Sequence, residues 1–118
     1  MIVSSGYNIA GPEVEAALLE HPAVAECGVV AAPDEERGQI VKAYVVLRLG
    51  YSGDAAATKM LQEHVKATIA PYKYPRTIAY VTQLPRTQTG KLQRFELRRQ
   101  ALRECEESKI QQLSNMPG

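Results

Sequence analysis

The sequence predicts an α+β domain, a small sheet of about three strands with helices packed on it. Two apolar runs rich in β-forming residues, 24–32 and 39–49, flank the polar turn 32–38 and are typical of an antiparallel pair. Three further segments carry apolar residues near the helical period of about 3.6 residues and predict helices. The length of 118 residues, with 45% apolar and 23% charged residues, fits one ordinary globular domain.

The first predicted helix precedes the strand pair. Pro12 suits a first helical turn, where its missing N–H costs nothing. Val14, Ala17 and Leu18 then fall on one face. The dipeptide His21-Pro22 predicts the end of the helix.

The second half of the chain predicts helix, strand, helix. Asp54 can cap a helix whose stripe is Leu61, Val65, Thr68 and Ile69, and the proline-bounded segment 71–76 ends it. Residues 77–81 predict a short strand. The last helix is predicted from residue 92 to about 107. Its predicted stripe is Leu92, Phe95 and Leu102, and its predicted solvated surface holds Arg94, Arg98, Arg99, Arg103, Glu96, Glu104, Glu106 and Glu107.

Several classes of protein are excluded by composition. A net charge of +1 gives no general attraction to nucleic acid or anionic membrane. No apolar run approaches the length of a membrane span and no secretory signal is visible, so we expect a cytoplasmic protein. We expect Cys27 and Cys105 to be reduced thiols, with Cys27 in the core. His21 and His64 are distant in sequence, so we expect no metal site.

The most informative segment is Pro85-Arg-Thr-Gln-Thr-Gly-Lys-Leu-Gln-Arg94, which places Lys91 directly after a glycine in a polar turn. Glycine permits conformations that other residues disfavour, and the hydroxyls of Thr87 and Thr89 suit turns. Such a loop can carry a cation into a site. By residue chemistry alone, a solvated surface lysine in a Thr/Gly turn is the favoured interpretation of Lys91, because a motif is only a hypothesis.

Two motifs in the same chain resemble the family of adenylate-forming enzymes. The Lys91 segment is similar to that family's C-terminal pattern Leu-Pro-(Arg/Lys)-Thr-x-(Ser/Thr)-Gly-Lys-(Ile/Leu)-x-Arg. The segment Ile2-Val-Ser-Ser-Gly-Tyr-Asn-Ile-Ala-Gly-Pro-Glu-Val-Glu15 resembles the stretch just after the interdomain hinge. The family includes acyl- and aryl-CoA synthetases, peptide-synthetase adenylation domains and luciferases. Both motifs occur in the family's order.

The resemblance implies a C-terminal lid domain over residues 1–107, followed by a tail, 108–118, that we expect to fray. It implies that Lys91 serves formation of acyl-AMP from ATP and a carboxylic acid, and that a rotated lid serves thioester formation with CoA. The chain has no Gly-x-x-x-x-Gly-Lys-(Ser/Thr) phosphate loop. In the family the ATP loop and acyl pocket belong to an N-terminal domain, which is the implied partner. We therefore expect the isolated chain to be inactive, and Mg²⁺ to bind outside it.

The resemblance also implies binding residues. Gly6 and Tyr7 match the segment that runs beside the pantetheine arm of CoA, although Gly6 is equally compatible with a plain turn. Asn8 stands where many relatives have arginine, so the positive charge of that arginine is missing here. Arg37 matches an Arg-Gly pair of acyl-CoA synthetases and is a candidate phosphate contact, with a solvated turn arginine as the favoured alternative.

The segment Pro71-Tyr-Lys-Tyr-Pro-Arg76 resembles the Tyr-Lys-x-Pro-Arg of CoA synthetases rather than the Tyr-Met-Val-Pro of peptide-synthetase domains. Lys73 and Arg76 are thus candidates for the phosphates of CoA, with tyrosine faces for its adenine. Alternatively the segment is a connector with surface charges. Gly-Tyr-Asn-Ile-Ala-Gly-Pro-Glu-Val-Glu is most similar to benzoate and 2-aminobenzoate ligases.

Two other interpretations remain open at the sequence level. The chain could be a lid that serves a carrier protein, as in peptide synthetases, which the Tyr-Lys-Tyr-Pro-Arg segment disfavours. It could also be a stand-alone binding module without catalysis. An upstream coding sequence with a Ser/Thr/Gly-rich loop would favour the ligase.

Overall fold

The computed structural model describes residues 2–4, 7–34 and 38–114. Its elements, in order, are β1 (Ile2–Ser4), β2 (Tyr7–Ile9), α1 (Gly11–Leu19), β3 (Val24–Asp34), β4 (Gly38–Leu47), α2 (Ala55–Thr68), β5 (Thr77–Tyr80) and α3 (Arg94–Ser114). The predicted α+β class is confirmed. The small antiparallel hairpin of β1 and β2 was not predicted, because three-residue strands carry too little pattern to be recognised.

The main sheet has the strand order β3-β4-β5. Strands β3 and β4 form the predicted antiparallel pair, from Val24 opposite Leu47 to Asp34 opposite Gly38. Strand β5 is parallel to β4, with Lys42 opposite Thr77. Strand β3 is therefore an edge strand of this sheet, and some of its backbone N–H groups point away from the ladder.

Helices cover both faces of the sheet. Alternate residues of β4 point to opposite sides, as the two-residue period of a strand requires. Val41, Ala43 and Val45 face a core built with α1 and α2. The other face packs on α3 through a second core: Val30, Ala32, Tyr44, Leu84, Leu97 and Ala101.

Helices α1 and α2 begin and pack as the sequence predicts. Pro12 lies in the first turn of α1, and Val14 and Leu18 are fully buried. The Asp54 side chain caps α2, where its Oδ1 accepts a hydrogen bond of 2.8 Å from the Ala57 N–H. Of the predicted stripe of α2, Leu61 and Val65 are buried and Ile69 packs against the same core, whereas Thr68 is exposed and the prediction for it was wrong.

The predicted inner face of α3 was wrong at two of its three positions, since only Leu92 packs against the second core. Phe95 and Leu102 are about half exposed, whereas Leu97 and Ala101 are buried. The spacing of apolar residues did not identify the face of α3 that packs on the sheet, because a polar residue, Glu104, lies on that face with Leu97 and Ala101. The helix begins at Arg94 rather than at residue 92, and it continues past residue 107 to Ser114. The domain limit at 107 and a fraying tail stay predictions.

A polar network joins α3 to the sheet and explains this orientation. The Lys42 ammonium donates to Glu104, as does Gln100 at 2.9 Å, and the Tyr44 hydroxyl lies 3.4 Å from the same carboxylate. Burial raises the pKa of Glu104, but these hydrogen bonds outweigh burial and lower its pKa overall. Burial and the Glu104 charge raise the pKa of Tyr44. Glu104 thus belongs to a partly buried ion pair, not to the predicted solvated surface.

Two histidines meet between α1 and α2. The rings of His21 and His64 lie 5.1 Å apart in an edge-on arrangement, although 43 positions separate them in the sequence. His21 Nδ1 accepts a hydrogen bond of 3.0 Å from the Ala23 N–H, and His64 Nε2 lies 2.8 Å from the Ala17 carbonyl. Burial, followed by the neighbouring His64, lowers the pKa of His21 from its ordinary 6.5. The distance between the two histidines in the sequence therefore gave no indication that their rings meet in the fold.

This arrangement predicts a loss of stability in mild acid. The unfolded chain takes up a proton at His21 more readily than the native state, so the free energy of unfolding should fall as pH drops through about 6.5. The fall should level off below the native pKa. Urea titrations of the 118-residue chain at pH 7.5 and 5.5 measure it. In His21→Asn, which keeps an acceptor for the Ala23 N–H, the difference in the free energy of unfolding between the two pH values should shrink. Equal differences in wild type and variant would contradict the prediction.

Candidate functional site

The Lys91 loop, defined as residues 85–94, forms a tight hydrogen-bonded turn. The Thr87 N–H donates to the Lys91 carbonyl at 2.9 Å, and the Gly90 N–H donates to the Thr87 carbonyl at 2.9 Å. The Lys91 N–H donates to the Thr87 hydroxyl at 3.1 Å, which itself lies 3.0 Å from the Thr89 hydroxyl. Gly90 has a φ of 89°, a conformation that favours glycine. The motif residues therefore build the turn that precedes Lys91.

Arg86 fastens this turn to the edge strand β3. Its guanidinium donates to the Gly90 carbonyl at 2.9 Å and to the Glu26 carboxylate at 2.6 Å. One side chain thus joins the peptide directly before Lys91 to a strand of the main sheet. A forked guanidinium is suited to two such bonds, whereas an ammonium is a single point charge.

The other end of the loop packs against β3 at Gly28, where there is no side chain in the way. A Cβ on Gly28 would lie 2.5 Å from Leu97 Cδ1 and 3.3 Å from Leu92 Cδ2. Glycine therefore lets Leu92, the residue after Lys91, pack closely on the strand. The Gln93 N–H donates to the Pro85 carbonyl at 2.9 Å and closes the base of the loop.

A buried carboxylate holds the first turn of α3. Glu15, from α1, accepts a hydrogen bond of 2.8 Å from the Val29 N–H and one of 3.0 Å from Arg94 Nε. The same carboxylate also pairs with a second nitrogen of Arg94. The Glu15 side chain is only 10% exposed, so its charge is compensated where water is scarce. The hydrogen bond that Arg94 donates to Glu15 raises the pKa of Arg94.

Lys91 itself is exposed. The two arginines of the loop, Arg86 and Arg94, form ion pairs with Glu26 and Glu15. Among the acidic side chains that the structure describes, none forms an ion pair with Lys91. The loop therefore presents an exposed ammonium on a hydrogen-bonded turn.

The segment with Lys73 and Arg76 lies on the other side of the sheet. Tyr74 packs against the core of α1 and α2, whereas Leu92 packs against the core of α3. Lys73 pairs with Glu13 of α1 at 2.9 Å, and this hydrogen bond raises the pKa of Lys73. The Arg76 guanidinium is stacked 4.6 Å from the centre of the Tyr74 ring. The structure thus gives Lys73 and Arg76 different partners and places the segment that carries them on the opposite side of the sheet from Leu92 of the Lys91 loop.

The remaining predicted residues are only partly described. Gly6 and Arg37 lie outside the described residues. Tyr7 and Asn8 belong to β2, with backbones paired to Ser4 and Val3 of β1. Their assigned roles stay predictions.

The structure also bears on the thiols and on metal binding. Cys27 is 7% exposed, as predicted, and burial raises its pKa to about 12, which makes it an unreactive thiol. In the described part of the chain, no three His, Cys, Asp or Glu side chains converge to hold a metal. Nor does any helix in that part have the length and apolarity needed to span a membrane.

Four supporting residues were missed at the sequence level: Glu15, Glu26, Arg86 and Arg94. Three of them lie within the two quoted motifs. Glu15 and Arg86 were given no role there, and the prediction of Arg94 on a solvated helix surface was wrong, because it is paired with the buried Glu15. An acid ending the first motif and an arginine ending the second could have suggested a pair. Nothing in the sequence singles out Glu26, because only the fold brings it to Arg86.

The fold and the site define an α+β domain that presents a lysine on a rigid turn. The chain belongs to the family described as AMP-binding enzyme C-terminal domain, whose model matches residues 13–91.

Relatives and solved structures agree with this assignment. The chain is 55% identical over 102 residues to the human mitochondrial acyl-coenzyme A synthetase ACSM5, covering 85% of this chain and 18% of that protein. It is similar to the Brucella canis acyl-CoA synthetase, with a TM-score of 0.83, 48% identity and coverage of 85% and 18%. It is also similar to the anthranilate CoA ligase AuaEII in complex with anthranoyl-AMP, with a TM-score of 0.78, 40% identity and coverage of 86% and 20%. The chain spans about a fifth of the length of the curated relatives it matches.

Proposed function

We propose that this chain is the C-terminal lid of an ATP-dependent carboxylic acid–CoA ligase. Lys91 serves acyl-AMP formation, and a second face of the lid serves thioester formation after rotation. The observation that carries the proposal is the exposed Lys91 ammonium on a hydrogen-bonded turn, in a chain of the AMP-binding C-terminal family. The partner is the enzyme's own N-terminal domain, and the co-substrates are ATP and CoA.

Lys91 would act where two negative groups must approach. A carboxylate oxygen attacks the α-phosphorus of ATP, the bond to the leaving pyrophosphate breaks, and acyl-AMP forms. An ammonium between carboxylate and α-phosphate reduces their repulsion and stabilises the charge that develops at phosphorus. Its effect is greatest when it is already in position and water is excluded. The fixed turn around Lys91 fits that requirement.

Thioester formation needs different groups. The sulfur of CoA attacks the acyl carbonyl, the bond to AMP breaks, and the thiol proton leaves. Gly6 and Tyr7 are proposed beside the pantetheine arm, with Arg37, Lys73 and Arg76 as candidate cations for the phosphates of CoA. Arg76 keeps an exposed guanidinium, while Lys73 would have to exchange Glu13 for phosphate. The separation of Lys73 and Arg76 from Lys91 by the sheet supports a lid with two working faces.

Substrate and compartment are finer proposals. We favour an aryl acid such as benzoate or 2-aminobenzoate, which the motif around Asn8 and the similarity to an anthranilate CoA ligase support. A medium-chain fatty acid is the alternative. A cytoplasmic location is proposed from the sequence, although the human relative is named as mitochondrial. Mg²⁺, which assists ATP chemistry, is proposed to bind outside this domain.

The proposal is tested by separating the two half-reactions in the full-length enzyme. We expect pyrophosphate release from ATP with at least one of benzoate, 2-aminobenzoate and hexanoate, and CoA thioester from the corresponding acyl-AMP. The 118-residue chain alone should do neither. Turnover by the chain alone, or no pyrophosphate release with any carboxylic acid, would contradict the proposal.

Gly6→Leu tests the proposed pantetheine path. A leucine there should fill space that CoA needs while leaving the adenylation site open. Acyl-AMP should still form, and thioester output should fall by roughly tenfold or more. The two partial reactions and the melting temperature measure the effect. If stability and both half-reactions fall together, Gly6 serves only as a turn residue. A variant that melts normally and makes thioester at full rate rules out the pantetheine role.

A further inference from the structure

The turn before Lys91 depends on a contact with another part of the fold. Hydrogen bonds among Thr87, Thr89, Gly90 and Lys91 close the turn, but all of them lie within the turn itself. They fix its shape and leave its direction relative to the sheet undetermined. A separate contact must therefore aim the ammonium.

Arg86 makes that contact. Its two hydrogen bonds join the Gly90 carbonyl, one peptide before Lys91, to the Glu26 carboxylate on β3. The two side chains are 37% and 42% exposed, so the pair contributes little to overall stability. Its geometry is nevertheless specific, because one planar group holds both acceptors at once.

The far end of the loop is already fixed by deeper contacts. Leu92 packs against Gly28, and Arg94 is paired with the buried Glu15. With that end anchored, the tip can still swing about its base. Arg86 opposes this movement, because Glu26 stands two residues along the same strand from Gly28.

We propose that Arg86 is a positioning residue for adenylation: it fastens the Gly90 carbonyl to Glu26 and so aims Lys91 at the reacting phosphate. This inference rests on the proposed function and deepens it. Arg86 itself touches neither substrate. Its contribution is to keep Lys91 in its productive position before the reaction, where a displacement of about 1 Å lowers the rate strongly.

The test is Arg86→Lys in the full-length enzyme, assayed with ATP and whichever of benzoate, 2-aminobenzoate and hexanoate reacts fastest. Lysine keeps the charge but cannot hold both acceptors in the fork geometry. The kcat of pyrophosphate release should fall on the order of 10- to 100-fold. The KM values for ATP and the acid should stay within about twofold, because ground-state binding is untouched. Thioester formation from supplied acyl-AMP and the melting temperature should be unchanged.

A structural readout accompanies the kinetics. Hydrogen–deuterium exchange of the peptide that covers residues 85–94 should be faster in Arg86→Lys than in wild type, with the rest of the domain unchanged. Glu26→Gln should show the same changes in weaker form. The double variant should be no slower than Arg86→Lys, since both substitutions act on one contact.

Arg99→Lys is the matched control. Arg99 pairs with Glu96 at 3.3 Å on the exposed surface of α3, in the same chemistry but between two residues of one helix, so this pair does not tie the turn before Lys91 to β3. The Arg99→Lys substitution should leave both half-reactions and the hydrogen–deuterium exchange of residues 85–94 unchanged.

Two results overturn the inference while leaving the proposed function intact. One is a normal rate of adenylation in the Arg86→Lys enzyme, when the separate Lys91→Ala enzyme has lost adenylation. The other is a loss of both half-reactions and of melting temperature together, which would make Arg86 a general structural residue. If Lys91→Ala is itself harmless, the proposed function and this inference both fail.

Discussion

Lys91→Ala should reduce acyl-AMP formation about 100- to 1000-fold in the full-length enzyme, which is typical for removal of one preorganised charge or donor. The ammonium is needed while a carboxylate attacks a negatively charged phosphate. It is not needed when the sulfur of CoA attacks the neutral carbonyl of acyl-AMP. Thioester formation from supplied acyl-AMP should therefore be largely spared. Pyrophosphate release and thioester production, measured separately, give the two rates.

Lys59→Ala is the control for this experiment. Lys59 is an exposed lysine of α2, on the opposite side of the sheet from the Lys91 loop. Its removal should change neither rate. Equal losses of both half-reactions in Lys91→Ala would show that Lys91 is a structural residue instead.

Glu15→Ala should lower the free energy of unfolding of the 118-residue chain by about 2–4 kcal/mol. The substitution leaves the Val29 N–H of the edge strand without its acceptor and Arg94 without its counter-ion. Arg94 keeps some access to water, because its side chain is 40% exposed, and this limits the loss. Urea denaturation at constant pH measures the change, and the melting temperature should drop by roughly 10 °C.

Glu13→Ala is a closely matched control. Glu13 lies two residues away on the same helix and also pairs with a cation, Lys73, but its side chain is 40% exposed. Its removal should cost less than about 1 kcal/mol. Glu15→Gln retains an acceptor for the Val29 N–H. Its loss in free energy of unfolding should lie between the losses of the two alanine variants. A Glu15→Ala chain as stable as Glu13→Ala would contradict the assigned role of the buried carboxylate.

Local patterns predicted much of the fold. The strand pair, the Asp54 cap and the buried stripe of α2 depend on residues close together in the sequence, where period and cap chemistry are sufficient. The exposed Lys91 after Gly90 was likewise predicted from the turn residues alone. Its catalytic role came from the resemblance of two motifs to a family, and it remains a proposal.

Tertiary structure decided the features that depend on distant partners. The inward face of α3 contains Glu104, and its burial makes sense only once Lys42 supplies the opposite charge. His21 and His64 meet because α1 and α2 cover the same face of the sheet.

The contacts that hold the Lys91 loop in place also depend on residues distant in the sequence. The sequence by itself determined a polar turn that exposes a lysine. It could not show that Arg86 and Arg94 reach Glu26 and Glu15, 60 and 79 positions away. Hydrogen bonds and ion pairs act over a few ångströms in space, and the sequence does not encode such distances locally. The chemistry of the site was therefore predictable, whereas the contacts that hold the site in place became visible only in the folded chain.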